Sequence, residues 1–142
     1  MGLVFAFELH DRLIGTIRLV PLGHGLTLTE QLLSISDPQA MSRWPQAWDA
    51  GRLVVAPEYR VGQDVLKRCL HLTLTDLLEH ADVRHLAGSC THILSRLYRR
   101  FGFSLFARDV LLPGTEKTYC LIHGEVGRVR EALAPAAEAV EA

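Results

Sequence analysis

A short strand that leads directly into a long helix is the sequence feature that most constrains the fold. Residues 53–55 form an apolar, β-branched run, Pro57 predicts a turn after it, and residues 61–80 have apolar side chains at helical spacing. A strand that feeds into a helix N-terminus leaves backbone N–H groups pointing into a crevice, where they can bind an anionic or carbonyl-rich ligand. We therefore expect the rest of the chain to form sheet and helices around this connection.

The composition is that of one ordinary globular domain. The chain has 142 residues, 49% of them hydrophobic, and a formal net charge of -1 without a long run of one sign. A nucleic-acid partner is therefore not expected, and no apolar run approaches the ~18 residues of a membrane span. Cys69, Cys90 and Cys120 are scattered, so neither a disulfide framework nor a metal site is predicted. We expect a soluble protein of a reducing compartment, the cytoplasm.

Hydrophobic periodicity along the chain predicts a mixed α/β (α+β) fold. A turn is expected at residues 88–90, and Asp49 is expected in a loop before the central strand. With no repeat and no linker, we expect one domain over residues 1–125 and an amphipathic helix or tail over residues 126–142. Strands are predicted at residues 3–9, 13–22, 53–55, 83–87, 103–112 and 117–123, and helices at residues 28–35, 61–80 and 92–101.

Two segments resemble the GCN5-related N-acetyltransferase (GNAT) superfamily. The sequence LVVAPEYR at residues 53–60 is similar to its acyl-donor-binding strand and loop, and LYRRFGF at residues 97–103 is similar to its helix ending in a Tyr and a Gly-Phe pair. The resemblance implies a mixed, mostly antiparallel sheet with a splayed central strand pair and helices on both faces. It also implies an acyltransferase that takes its acyl group from a pantetheine thioester, without a metal.

The donor loop departs from the superfamily pattern. That pattern is usually Arg/Gln-x-x-Gly-x-Gly/Ala, whereas RVGQDV at residues 60–65 places Gln63 and Val65 at the small-residue positions. Bulky side chains hinder close approach of the backbone to a pyrophosphate, and Asp64 adds negative charge there. Acyl carrier protein, whose phosphopantetheine arm has no nucleotide pyrophosphate, is therefore expected as a possible donor beside acyl-coenzyme A.

Two further segments resemble acyl-homoserine-lactone synthases and the related N-acyl amino acid synthases. GTIRLVP at residues 15–21 matches their Gly-x-x-Arg-Leu-x-Pro, and DAGRLVV at residues 49–55 matches their Glu-x-Ser-Arg strand with Asp49 for Glu and Gly51 for Ser. This resemblance implies transfer of an acyl group to a small amine. The alternative is a non-catalytic module of the same fold that binds an acyl or pantetheine group.

The resemblance also assigns roles to residues around the expected crevice. Tyr98 would act as the general acid that protonates the leaving thiolate, and Asp49 as a base or orienter for the amine. Apart from the resemblance, Arg18 and Arg52 enter adjacent strands near the same crevice, so they are the candidates for binding a substrate carboxylate through two hydrogen bonds. The alternatives are a packing role for Tyr98, an ordinary loop carboxylate for Asp49 and solvated surface for the arginines. The expected donor-binding residues are Leu53, Val54, Val55, Arg60, Val61, Gly62 and Gln63.

The first predicted strand begins almost at the start of the chain, whereas the resembled families place a strand and two helices before it. Residues 3–9 would then form an apolar edge strand, which soluble proteins normally cover. We expect the cover to be a second copy of the chain, which would make a homodimer, or the helix predicted at residues 126–140.

Overall fold

A six-stranded sheet organises the residues that the computed structural model describes, which are 2–25, 27–59 and 64–135. Five α-helices within these ranges flank the sheet, and a single 3₁₀ turn follows the third strand at Pro57–Tyr59. The strands are β1 Leu3–Leu9, β2 Arg12–Pro21, β3 Ala47–Val55, β4 His85–Cys90, β5 Ser104–Leu111 and β6 Thr118–Glu125. The helices are α1 Leu28–Ser36, α2 Ala40–Arg43, α3 Asp64–His80, α4 His92–Arg100 and α5 Val126–Leu133.

The strand order is β1-β2-β3-β4-β6-β5, and every neighbouring pair except β3 and β4 is antiparallel. The parallel pairing of β3 with β4 covers three residue pairs and ends at Asp49 and Ala87. β3 then continues to Val55 and β4 to Cys90, so the two strands diverge in the middle of the sheet. This confirms the predicted mixed, mostly antiparallel sheet with a splayed central pair.

Helices pack on both faces of the sheet, as predicted. The larger core lies beneath α3, α4 and α5, where Leu77, Phe101 and Val129 are almost fully buried. The smaller core lies beneath α1 and α2 and includes Leu32 and Leu33. We call the two sides the α3 face and the α1 face. No helix in the described ranges is long and apolar enough to cross a lipid bilayer.

Two strands are longer than the sequence predicts. β3 starts at Ala47, so Asp49 lies inside the strand and not in a loop before it. β4 continues through Cys90, although Gly88 and Ser89 had the composition of a turn. Both residues pair with β6 instead, because long-range pairing outweighs the weak local preference of such residues.

A β-bulge at Arg52 changes the direction of the side chains along β3. Gly51 pairs with Arg18 and Val54 pairs with Thr16, so β3 has one residue more than β2 between these pairs. Arg52 has a φ of 52°, in the left-handed region that non-glycine residues adopt infrequently. Leu53 therefore packs against the larger core, while Val54 is 57% exposed on the opposite face.

The first strand forms an edge of the sheet, and Val4 on it is 70% exposed. The expectation that the C-terminal helix covers this edge is wrong for Val126–Leu133. That helix packs against α3 and β6, and it buries Val129 and Leu133 in the larger core because these two side chains share one helical face. A homodimer stays a prediction.

Two histidines share a hydrogen bond on the α1 face. His85 Nδ1 and His123 Nε2 are 2.9 Å apart, and the His123 ring stacks on Trp44 at a centroid distance of 4.2 Å. Burial, together with the proximity of His85, lowers the pKa of His123 to about 4. His123 is therefore uncharged at neutral pH in the folded protein.

Acid should destabilise the fold through His123. The unfolded chain binds a proton at this residue near pH 6.5 and the folded chain only near pH 4, so stability is lost as the pH falls between these values. His123→Phe preserves a ring against Trp44 and removes the titrating group. We expect the melting temperature of the variant to fall less than that of the native chain between pH 7 and pH 4.5.

Thermal unfolding followed by circular dichroism checks this prediction. The exposed turn residue His10, replaced by Asn, serves as a control for the loss of a histidine elsewhere in the chain. An equal loss of stability in the native chain and in His123→Phe would contradict the assignment.

Candidate active site

The point where β3 and β4 diverge is the candidate active site. Gly88 on β4 lies so close to β3 that an added Cβ would be 3.1 Å from the carbonyl oxygen of Ala50. A side chain at this position would push the two strands apart, and glycine avoids that contact. Beyond this contact the two strands continue without pairing to each other, and we call the gap between them the crevice.

Asp49 is the buried carboxylate on the α1 face of the crevice. It is 4% exposed, and its Oδ1 accepts a hydrogen bond of 2.8 Å from Thr29 Oγ1. Burial raises the pKa of Asp49, and the hydrogen bond from Thr29, the nearby charge of Arg18 and a hydrogen bond from Thr27 offset part of this effect. A carboxyl group with a raised pKa accepts a proton more readily than an exposed one does.

The first turn of α1 brings two hydroxyl groups to this carboxylate. Thr27 is the N-cap and accepts a hydrogen bond from the backbone N–H of Glu30. The Glu30 carboxylate in turn accepts hydrogen bonds from the backbone N–H groups of Gly23 (2.7 Å) and Gly25 (2.6 Å). These bonds fix the loop before α1, so the helix start is held over the sheet.

Thr29 connects Asp49 to a third hydroxyl group. Thr29 Oγ1 lies 2.9 Å from Ser89 Oγ, and Thr29 itself is 2% exposed. Ser89 is half-buried and lies two residues beyond Ala87, the last residue of β4 that pairs with β3. A chain of three polar groups therefore runs from the buried carboxylate to the place where the strands separate.

Arg18 lies beside the same carboxylate on β2, directly opposite Gly51. Its charge opposes the rise in the pKa of Asp49, so the two charges are close. Its Nε atom is buried and has no hydrogen-bond partner among the described residues. A buried donor without a partner is costly, and a ligand oxygen would satisfy it. Arg52, by contrast, is exposed at the bulge.

Tyr98 approaches the crevice from the α3 face. It is 7% exposed, packs edge-to-face on Phe103, and borders an apolar cavity of about 40 Å³ whose sheet wall includes Ala50 and Leu86. Burial, followed by the proximity of Cys90 and Asp49, raises the pKa of Tyr98 above its ordinary value of 10. Its hydroxyl is therefore protonated at neutral pH and can act as a proton donor.

The expected donor strand lies on the other side of the crevice from β4. Val54 and Val55 pair with Thr16 and Gly15 of β2, and Leu53 faces the larger core. The expected loop residues Arg60, Val61, Gly62 and Gln63 lie outside the described residues. Among the residues that are described, no three His, Cys, Asp or Glu side chains are grouped so that they could hold a metal ion.

The structure thus brings together Asp49, Arg18 and Tyr98, and it leaves Arg52 on the surface. Sequence reasoning missed Thr29 and Ser89. The Thr27-x-x-Glu30 capping pattern marks the start of α1, but no local signal shows that the hydroxyl of Thr29 faces a carboxylate twenty residues away. Ser89 was hidden because its neighbourhood had turn composition.

Comparison with known proteins identifies the family of this chain. The family described as N-acyl amino acid synthase FeeM matches residues 2–125. Among curated proteins, no sequence matches the chain.

Several solved structures have the same fold at low sequence identity. FeeM, an N-acyl amino acid synthase from uncultured soil microbes, is 15% identical over 92% of this chain and 76% of its own, with a TM-score of 0.71. MesI, a CoA-dependent acyl-homoserine lactone synthase, is 19% identical over 93% of this chain and 66% of its own, with a TM-score of 0.64. LasI, another acyl-homoserine lactone synthase, is 15% identical over 92% of this chain and 68% of its own, with a TM-score of 0.60.

The family match covers most of the chain, and the splayed central strands agree with it. Both findings confirm the resemblance seen in the sequence. The chain belongs to the FeeM N-acyl amino acid synthase family of acyltransferases.

Proposed function

We propose that the protein transfers an acyl group from a pantetheine thioester to the amine of a small acceptor that also carries a carboxylate. The observation that carries this proposal is the arrangement around the crevice between β3 and β4. Asp49 and Arg18 lie on the α1 face, and Tyr98 lies on the α3 face. An acyl group placed between the strands would therefore have a proton acceptor on one side and a proton donor on the other.

The reaction requires two proton movements that this arrangement supports. The amine nitrogen attacks the thioester carbonyl carbon, a C–N bond forms, and the nitrogen loses a proton on the side of Asp49. The C–S bond then breaks with its electron pair on sulfur, and the Tyr98 hydroxyl protonates the thiolate. Attack is direct within a complex of both substrates, so no acyl-enzyme forms.

Arg18 supports an acceptor that resembles an amino acid. Its buried Nε has no hydrogen-bond partner among the described residues, and a guanidinium binds a carboxylate through two parallel hydrogen bonds. We assign Arg18 to the acceptor carboxylate, with Arg52 as a second, more exposed contact at the bulge.

The donor would lie along β3. Leu53, Val54 and Val55 lie beyond the last β3–β4 pair, and we assign the amide groups of the pantetheine arm to this segment of backbone. We assign the phosphate end of the arm to Arg60, Val61, Gly62 and Gln63. Gln63 and Val65 are bulky residues at positions where the superfamily pattern has small ones, and this favours acyl carrier protein over acyl-coenzyme A, although MesI is a CoA-dependent enzyme.

Steady-state assays with matched acyl chains on both donors test the function and the choice of donor. We expect N-acylation of amino acids, with higher kcat/KM for acyl carrier protein. A clear preference for coenzyme A would overturn the donor assignment. Binding of acyl-pantetheine without turnover across a panel of amines would instead identify a non-catalytic binding module.

Tyr98→Phe tests the acid. The change removes the hydroxyl and leaves the ring against Phe103, so folding should be retained while kcat falls about 10²-fold, the usual scale for a general acid. Tyr119→Phe is a matched control on β6, where the ring packs against the smaller core, and it should retain activity. An unchanged kcat in a folded Tyr98→Phe variant would assign Tyr98 to packing alone.

Asp49→Asn should lower activity and raise stability together. The folded state holds the Asp49 proton more tightly than the unfolded chain does, so ionisation above pH 3.8 costs stability. Asparagine preserves an oxygen for Thr29 and cannot ionise. We expect a higher melting temperature than the native chain at pH 7 to 8, a difference that disappears near pH 4, and at least a 10²-fold lower kcat.

Asp109→Asn is the control, because Asp109 is exposed on β5. It should change neither property. Equal stability of Asp49→Asn and the native chain at every pH would show that burial of the Asp49 charge is not costly, against the raised pKa.

A further inference from the structure

Asp49 is placed to accept a proton but not to contact an amine. It is 4% exposed, and the group that bonds it, Thr29, is more deeply buried still. A general base must lie within hydrogen-bond reach of the proton it removes or act through one intermediate group. A proton from the crevice therefore needs a path to this carboxylate.

The hydrogen bonds provide such a path and fix its direction. Thr29 has one hydroxyl hydrogen and donates it to Asp49 Oδ1 at 2.8 Å. At the 2.9 Å contact with Ser89, Thr29 can then only accept, so Ser89 Oγ is the donor. A serine oxygen that donates its hydrogen still has lone pairs with which to accept another.

Ser89 is the member of this chain that reaches the crevice. It is half-buried, whereas the other two groups are buried, and it follows the last residue pair of β3 and β4 by two positions. Ser89 shares the α1 face with Arg18 and Asp49 because it bonds Thr29 of α1. An amine whose carboxylate bonds Arg18 would lie on this same face.

We infer that Ser89 and Thr29 form a hydroxyl relay that carries the proton of the attacking amine to Asp49. The inference rests on the proposed acyl transfer. As the C–N bond forms, the N–H bond breaks and its electron pair stays on nitrogen. The proton adds to Ser89 Oγ, the hydrogen of Ser89 moves to Thr29 Oγ1, and the hydrogen of Thr29 moves to Asp49 Oδ1. Each hydroxyl keeps one hydrogen, and only the carboxylate gains one.

The relay gives each residue a separate role. Ser89 contacts the amine, Thr29 is a positioning residue that joins the two ends, and Asp49 stores the proton. After the amide leaves, the same three bonds return the proton to the crevice in the reverse order. Because the groups act in series, loss of any one hydroxyl interrupts the whole path.

Kinetics of Ser89→Ala, Thr29→Val and the double variant test the series. We expect each single variant to lose about 10²-fold in kcat at pH 7, and the double variant to lose no more than either. The deficit should shrink as the pH falls, because a protonated Asp49 cannot accept the proton and the native chain then loses the relay as well. Thr29→Ser, which restores a hydroxyl, should recover activity.

Ser34→Ala is the matched control, since this exposed hydroxyl on α1 bonds only the backbone carbonyl of Gln31 in the described part of the chain. Losses that add in the double variant would overturn the relay. So would unchanged kcat in Ser89→Ala, or a deficit that is independent of pH.

A titration without substrate distinguishes the relay from the proposed function. The pKa of Asp49, measured by carbon NMR, should rise in Thr29→Val because a donor to the carboxylate is lost. It should rise less in Ser89→Ala, because Ser89 strengthens the Thr29 bond by polarising it. If the native chain transfers no acyl group, the proposed function fails. An Asp49 pKa that is the same in the native chain and in Ser89→Ala overturns the hydrogen-bonded chain in either case.

Discussion

The short parallel pairing of β3 and β4 is the constraint on which the rest of the structure depends. Three residue pairs hold the two halves of the sheet together, and beyond Asp49 and Ala87 the strands separate. Peptide groups that leave a ladder need other partners, and the amide groups of an extended ligand can supply them. The crevice is therefore a direct consequence of where the ladder stops, and the candidate active-site residues are those that the neighbouring elements bring to this point.

The two faces of the sheet differ in chemistry, and this difference separates the proposed acid, Tyr98, from the proposed base, Asp49. The α1 face presents Asp49 with hydroxyl groups and the guanidinium of Arg18, while the α3 face surrounds Tyr98 with apolar side chains. Burial raises the pKa of both groups with opposite consequences: the carboxyl becomes a better proton acceptor, and the phenol stays protonated as a donor. In the proposed reaction these groups act on opposite faces, and the substrate between the strands connects them.

Much of the fold could be predicted from the sequence, because apolar periodicity records which side of each element faces a core. The edge strand β1, the long helix α3 and the helix between Thr91 and Gly102 all follow from it. Asp49, Arg18 and Tyr98 were found through motifs with a known spacing. Thr29 and Ser89 were not, because their contacts join residues 60 positions apart and depend on how β4 pairs with β6. Serine and threonine occur both in turns and in buried hydrogen bonds, so the identity of such a residue does not predict which of the two it forms.

The bulge at Arg52 divides β3 into two halves that are out of phase with each other. Ahead of it the odd-numbered residue Asp49 faces α1, and after it the odd-numbered residue Leu53 faces the opposite core. Arg52 therefore acts through its backbone, as the extra residue that shifts the alternation of side chains along β3. Replacing it with asparagine or glycine, which adopt its backbone conformation readily, keeps the bulge in place. Deleting it would close the bulge, because Leu53 would then be the single residue opposite Ile17 while Val54 stays opposite Thr16. Leu53 would keep its side chain in the larger core with Ile17, so the faces of β3 are set by its pairing with β2 and tolerate the loss of this one residue.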